Sequence, residues 1–228
     1  MPVPSINPES PTTGEPEQLG ALAVDAIVDR GRFDEVLVQG DGSAKVIASN
    51  AAFEGSLLTG SGLMGSKLQG IGCVDCRFDR ADLANASWTD GRFVRTEFNE
   101  CRLTGFDGFG VQMRDVRFVG CKGPDAIFTR SSCTRIRFDG CQLAGVDLSE
   151  SQIDSLAIHD CDARNLRLIG SRISLLDLRG SLIDGIVFDI ESLKGIVVDP
   201  SQAGAIARSL GVRVEAIERS GPIEQRAE

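Results

Sequence analysis

Cys76-Arg-Phe-Asp-Arg80, Ala81-Asp-Leu-Ala-Asn85 and Cys141-Gln-Leu-Ala-Gly145 are three copies of one pattern, shared by Ser66-Lys-Leu-Gln-Gly70. Each opens with a small or apolar residue, carries a large apolar residue at its third place, and is polar elsewhere. From Phe33 to Phe188 this unit of five repeats without insertion or deletion. The third place reads Phe53, Leu58, Leu63, Leu68, then Phe78, Leu83, Trp88, Phe93, Phe98 and Leu103, and continues to Leu178, Ile183 and Phe188. A period of five suits neither a helix at 3.6 residues per turn nor a strand at two. It is satisfied when each pentapeptide forms one side of a square, with places one and three turned inward and four sides closing a coil of 20 residues. Such fixed-period similarity is the signature of a solenoid.

Residues 20 apart then stack. Phe78, Phe98, Phe118 and Phe138 form one inner column; Leu63, Leu83, Leu103 and Leu143 belong to another. Ser61, Ala81, Cys101, Cys121, Cys141, Cys161 and Ser181 form a third, small throughout. At strand spacing of about 4.8 Å, about eight coils make a shaft of roughly 38 Å. The pattern resembles the pentapeptide-repeat family, and the resemblance covers about two thirds of the chain. It implies an all-β solenoid, a right-handed quadrilateral β-helix, followed here by a short C-terminal helix.

Composition bounds the rest. The chain has 228 residues and a formal charge of −9. Residues 1–30 carry −4, residues 31–190 carry −4 and residues 191–228 carry −1. Sorted by side of the square, residues 31–190 give 0, −1, −1 and −2. This balance disfavours direct binding to nucleic acid or to an anionic membrane. No apolar run approaches membrane-span length, and Met-Pro-Val-Pro-Ser at the start is not a secretory signal. Seven cysteines, an odd number with most at inward places, point to a reducing cytoplasm.

The ends differ from the shaft. Residues 1–17, rich in Pro, Ser, Thr and Glu, read as a disordered tail. Residues 18–30 read as a short helical cap over the first coil, since an open solenoid end leaves backbone and core uncovered. The shaft occupies 31–190. In 191–215, Asp199 and Pro200 are an N-cap and first helical residue, Ala203, Ala205, Ile206 and Leu210 give an apolar side, and Gly211 is a stop. Val212 and Val214 then alternate with charged residues. Two readings stand: a simple cap, or a two-fold dimer made through Ile206, Leu210, Val212 and Val214. The stretch from Val197 to Val214 resembles the dimerising C-terminal module of the family's gyrase-binding branch. Residues 216–228 read as a flexible tail.

Little in the chain is reactive. Cys73-Val-Asp-Cys76 has no second pair, and both cysteines fall at inward places. A straight column of thiols cannot converge on one tetrahedral metal. The single histidine, His159, falls outside the shaft and reads as solvated with Asp160 and Asp162. No nucleotide-binding loop occurs. No cofactor or metal is expected, and an enzyme is the reading of last resort. The departures from the pattern are Phe106-Asp-Gly-Phe-Gly110 and Cys121-Lys-Gly-Pro-Asp125, where Gly108 and Gly123 replace the large central residue. Phe106 is expected to fill the space at Gly108, Phe109 to project outward, and Pro124 to mark a local bulge. Phe109 and Pro124 are the candidate partner-binding residues.

Two functions follow. One is a protein-interaction solenoid with an unidentified protein partner. The other, implied by the resemblance, is a DNA-mimicking modulator of DNA gyrase or another type II topoisomerase, of the quinolone-resistance type. Arg77, Arg80, Arg92, Arg95, Arg114, Arg117, Arg135 and Arg137 interrupt any acidic stripe such mimicry would use.

Overall fold

The structure is a computed structural model describing residues 5–40, 46–60 and 62–215. The 216–228 tail, Ser61 and the Asp41–Lys45 pentapeptide lie outside the described residues. The chain forms a parallel β-solenoid of about nine turns with one short C-terminal helix. The register is 20 residues on all four sides. The first runs Arg32↔Ala52↔Gly72↔Arg92↔Gln112↔Ser132↔Gln152↔Arg172. The second runs from Leu37↔Leu57 to Asp177↔Val197, so pairing continues past Phe188, where the sequence pattern fades. The fourth side starts with a strand pair, Ile47–Ser49 against Lys67–Gln69, and beyond it the third and fourth sides touch through single bridges, such as Arg102↔Lys122 and Asp107↔Ile127. The longest strands belong to the first two sides: Arg92–Asn99, Gln112–Val119 and Ser132–Asp139 run from one side into the next.

Places one and three are buried from Val46 to Ser171 among the described residues, while Phe33, Val36, Ile173 and Phe188 toward the ends are partly buried. The Phe78, Phe98, Phe118 and Phe138 rings stack at centroid distances of 4.5, 4.7 and 4.3 Å. Stacks of this kind contribute beyond the area they bury. At the fifth place the backbone turns through positive φ, at glycines such as Gly105 and Gly145 and also, among the described residues, at 16 with side chains. Eight of those 16 are Asp or Asn, the residues that tolerate this region best after glycine. On the third side the Phe106 N–H donates to Leu103 O at 2.9 Å with Gly105 at φ 63, the geometry of a type II turn.

That turn corrects the expectation for Pro124. Fifth-place amides donate to the next coil's fourth-place carbonyl, as Gly105 does to Pro124 at 3.1 Å. Fourth-place amides on the third and fourth sides are outside the ladder. Between residues 81 and 189, where such an amide is bonded a second-place Asp receives it, as Asp82 does from Ala84 and Asp107 from Phe109; on the first coil Ser49 N donates instead to Asp29 at 2.7 Å. Pro124 therefore removes no ladder bond. It sits at the second residue of a turn closed by the Ala126 N–H and Gly123 O, a position proline favours, and no bulge forms.

The N-terminal expectations are also revised. Residues 20–23 form a strand, Gly20–Ala23, paired in parallel with Val36–Gln39 and flanked by short 3-10 turns. The exposed ladder of the first coil needs hydrogen-bond partners, and a strand supplies them where a helix cannot. Val24 plugs the end so closely that a Cβ on Gly40 or Gly62 would stand 2.6 Å from its methyl. Residues 5–15, expected to be disordered, lie as a strap along the shaft. Ile6 is buried, and the Glu9 and Thr12 amides donate to Asp115 and Asp75 at 3.3 Å each.

The far end is closed by two related segments. Asp189 accepts from Gly170 N and Asp199 from Gly180 N, replacing the carbonyls a further coil would offer. Three residues on, Ser192 donates to Leu168 O or Ser171 O, and Gln202 donates to Leu178 O and Ser181 O. Asp199 is the N-cap, with a complete capping box to Gln202 ahead of the helix Ala203–Ser209. Gly211 follows at φ 82.

Candidate functional site

The fourth side carries the most distinctive surface. Gly108 is filled as expected, since a Cβ there would meet the Phe106 ring at 2.9 Å. Phe106 packs edge-on to Trp88 and tilted to Phe128. Phe109, two places further on, is 38 % exposed. The Arg130 guanidinium lies 5.7 Å from its ring centroid, within cation–π range. Arg130 also binds Glu150 at 2.7 Å, and Arg167 binds Asp147 at 3.2 Å, each pair one coil apart. Phe109, these four charged residues and Ile169 line a groove of about 480 Å³. Ile127 and Val187 are exposed on the same side. The groove thus has apolar ends and a charge-balanced middle. Pro124 is half-buried on the third side, away from the groove lining, so the two candidate residues do not form one site.

At the C-terminal end the dimerisation candidates separate. Ile206 is partly buried against the core, and Ala205 is buried beside it. Leu210, Val212 and Val214 are each about half exposed. The helix therefore turns Ile206 toward its own shaft and leaves the other three facing outward.

The cysteines are structural. Cys121 N donates to Cys141 Sγ at 3.3 Å and Cys141 N to Cys161 Sγ at 3.2 Å, while each sulfur bonds a carbonyl. Serines do the same on the first side, where Ser131 N donates to Ser151 Oγ and Ser151 N to Ser171 Oγ. Neighbouring thiols and burial push Cys121 and Cys141 up to about 12, and burial raises Cys133 to about 11. These groups stay as thiols, the unreactive form. No set of three metal-binding side chains is assembled among the described residues.

His159 is not solvated as expected. Its Nε2 stands 3.1 Å from Asp177 Oδ2, a carboxylate only 3 % exposed that Arg179 also holds. Burial would raise the Asp177 carboxyl, but Arg179 and His159 together hold it below the usual range. Asp162 pairs with Arg164 at 2.6 Å. Across the shaft, Arg77, Arg95, Arg117, Arg135 and Arg137 also bind carboxylates of their own or neighbouring coils. No described helix is long and apolar enough to cross a membrane.

A family model described as pentapeptide repeats, in 8 copies, matches residues 76–107. Among solved structures, a trypsin-treated form of QnrB1, a plasmid-mediated fluoroquinolone resistance protein, is 21% identical over 75% of this chain and 99% of its own, with a TM-score of 0.31. Full-length QnrB1 is 16% identical over 85% of this chain and 100% of its own, with a TM-score of 0.27. HetL, a pentapeptide repeat protein involved in heterocyst differentiation regulation from the cyanobacterium Nostoc sp. strain PCC 7120, is 12% identical over 78% and 86%, with a TM-score of 0.29. No curated protein matches the chain.

Proposed function

We propose that this chain, whose residues 76–107 match the pentapeptide-repeat family model, acts as a non-catalytic interaction solenoid that engages a protein partner through the fourth side around Phe109. The observation that carries this is the groove itself. A large aromatic is held outward by a filled position at Gly108, and its exposed face carries an arginine. Aromatic and arginine side chains are the residues that most often anchor protein interfaces. The flanking ion pairs give such a surface polar specificity. The reading includes a homodimer through Leu210, Val212 and Val214, which would leave the groove free on both copies, and a site of action in the cytoplasm.

The second reading is DNA mimicry against DNA gyrase. The ion pairing weighs against it, because Asp75, Asp79, Asp115, Asp139, Asp147, Glu150, Asp162 and Asp177 each hold an arginine. A row of neutralised carboxylates is a poor copy of a phosphate backbone.

One titration separates the two. The protein is added to a gyrase supercoiling reaction, with an unrelated acidic protein as control and Phe109→Ala in parallel. Inhibition retained by Phe109→Ala assigns the shaft's acids to gyrase. Inhibition lost in Phe109→Ala makes the groove the contact. Inactivity of the wild type leaves a different protein partner, sought by cross-linking through the groove with Phe109→Ala as the negative.

A further inference from the structure

The eight arginines that break up the acidic pattern all fall on the first and second sides of the shaft. Down the corner between those sides, the fifth-place column reads Asp75, Arg95, Asp115 and Arg135. Arg95 grips Asp75 through Nε and Nη2 at 2.8 and 2.5 Å, and Arg135 grips Asp115 at 2.6 and 2.5 Å. These two carboxylates are buried, at 8% and 2% exposure, whereas the corner carboxylates Asp90, Glu100, Asp125, Glu150 and Asp160 are exposed. Two things cover them: the guanidinium that grips each and the strap of residues 5–15, whose Thr12 and Glu9 amides reach them.

The strap fits by register and by charge. Glu9 N and Thr12 N reach Asp115 and Asp75, and Thr13 Oγ1 donates to Asp75 O at 2.8 Å. Three strap residues therefore span two coils. An extended chain rises about 3.3 Å per residue and two coils about 9.6 Å, so any extended peptide laid along this corner keeps the same register. Residues 1–29 contain no Lys or Arg, and the strap carries Glu9 and Glu15. The Glu9 carboxylate acts on both Arg95 and Arg135.

The strap also fills its seat incompletely. A cavity of about 320 Å³ remains between Asn7–Pro11 and the shaft residues Thr96, Glu97, Arg117 and Arg137. Ile6 is the strap's one buried apolar side chain. A segment held by a few polar contacts belongs to the part of a protein that opens first.

We propose that the corner of the first and second sides is a groove for an extended acidic segment of a protein partner, occupied in cis by residues 5–15 as a stand-in. This rests on the interaction reading only in taking the shaft as a binding surface. It concerns a different face from Phe109, so its test can fail while that reading stands.

The experiment uses the full chain, as wild type and as Ile6→Asp/Thr12→Pro, which removes the strap's anchor and the amide that meets Asp75. The probe is a fluorescein-labelled peptide with the sequence of residues 5–15, followed by anisotropy at low salt. Binding to the released variant at least about tenfold tighter than to the wild type is expected. Glu9→Lys in the peptide, and Arg135→Glu in the released protein, should each reverse most of that gain, with Arg135→Lys intermediate and circular dichroism checking the fold. Equal binding to both proteins, or none to the released one, overturns the proposal. An oligothymidylate that binds the released variant where the peptide does not would assign the arginines to nucleic acid and overturn it equally. Amide exchange at Glu9 reports release, and an amide still protected in the variant overturns the assignment of Ile6 and Thr12 as the strap's hold.

Discussion

The Gln202 side-chain amide donates to the carbonyl of Ser181 at 2.6 Å, and its second hydrogen reaches Leu178 O at the same distance. One side chain thus satisfies two buried carbonyls that the next coil would otherwise have served. Gln202→Ala leaves both unpaired. A buried acceptor without a partner costs about 1–3 kcal/mol. Solenoids lose structure from their ends, because each coil is supported by its neighbours. Gln202→Ala should therefore lower the urea midpoint and speed amide exchange first in the last coil, at Ser181 and Leu178, while the coils around Phe98 keep wild-type rates. Uniform acceleration along the shaft would contradict the end-cap role.

Phe118 and Phe109 are both aromatic, yet their substitutions should differ widely. Phe118 is stacked between Phe98 and Phe138 in the core. Phe118→Ala opens a cavity worth about 3–5 kcal/mol, and Phe118→Asp adds an unpaired buried charge that should unfold the shaft. Phe109→Ala gives up exposed area and a cation–π contact worth about 0.5–1 kcal/mol. Thermal melts of the three variants test this, and a drop for Phe109→Ala as large as that for Phe118→Ala would show that Phe109 supports the fold.

The shaft was legible because its pattern is set by packing. Places one and three face a filled interior, and a one-residue slip would bury the polar residues between them. The exchange of Phe106 for the missing side chain at Gly108 was readable for the same reason, as a conserved volume. The strap was not, because its hold on Asp75 and Asp115 comes mainly from backbone amides, which carry no residue-type signal. The N-terminal strand was missed for a related cause: unpaired carbonyls on the first coil outweighed the local preference of an alanine-rich stretch. His159 was misplaced because its partner Asp177 lies one coil away, a contact visible only once the 20-residue register is applied to charged as well as apolar residues.

Acid should release the strap before it unfolds the shaft. Burial alone would raise the Asp115 carboxyl, but the Arg135 guanidinium, the Glu9 amide and the charge of Arg114 hold it below the ordinary 3.8. Asp75 is lowered first by Arg95, against burial, and by its bonds with Thr12. Glu9 faces Arg95 and Arg135, and Asp154 also faces Arg135. A carboxyl with a depressed folded pKa contributes stability above its unfolded pKa and loses it as pH falls through the folded value. The strap contacts should be complete above about pH 4 and lost progressively below it. Amide exchange at Glu9 and Thr12 reads this directly. Asp115→Asn should weaken the Glu9 contact already at neutral pH, and a strap equally protected at pH 3 and pH 7 would rule out the carboxylate hold.

Ile206 lies on the short helix and Leu210 caps its end, and the two test different things. Ile206 packs on its own core, so Ile206→Asp should destabilise the end cap whatever the oligomeric state. Leu210 and Val212 are 49% and 54% exposed, and charges there should leave the folded protomer within about 0.5 kcal/mol of wild type. If the C-terminal end forms a two-fold contact, each such charge meets its own copy or its neighbours across the axis, because a two-fold interface is self-complementary. Leu210→Asp/Val212→Asp should then lower the sedimentation coefficient from that of a dimer to that of a protomer, with the thermal melt nearly unchanged at equal protomer concentration. A wild type that already sediments as a protomer, or a double variant that still sediments as a dimer, would remove this end from the assembly.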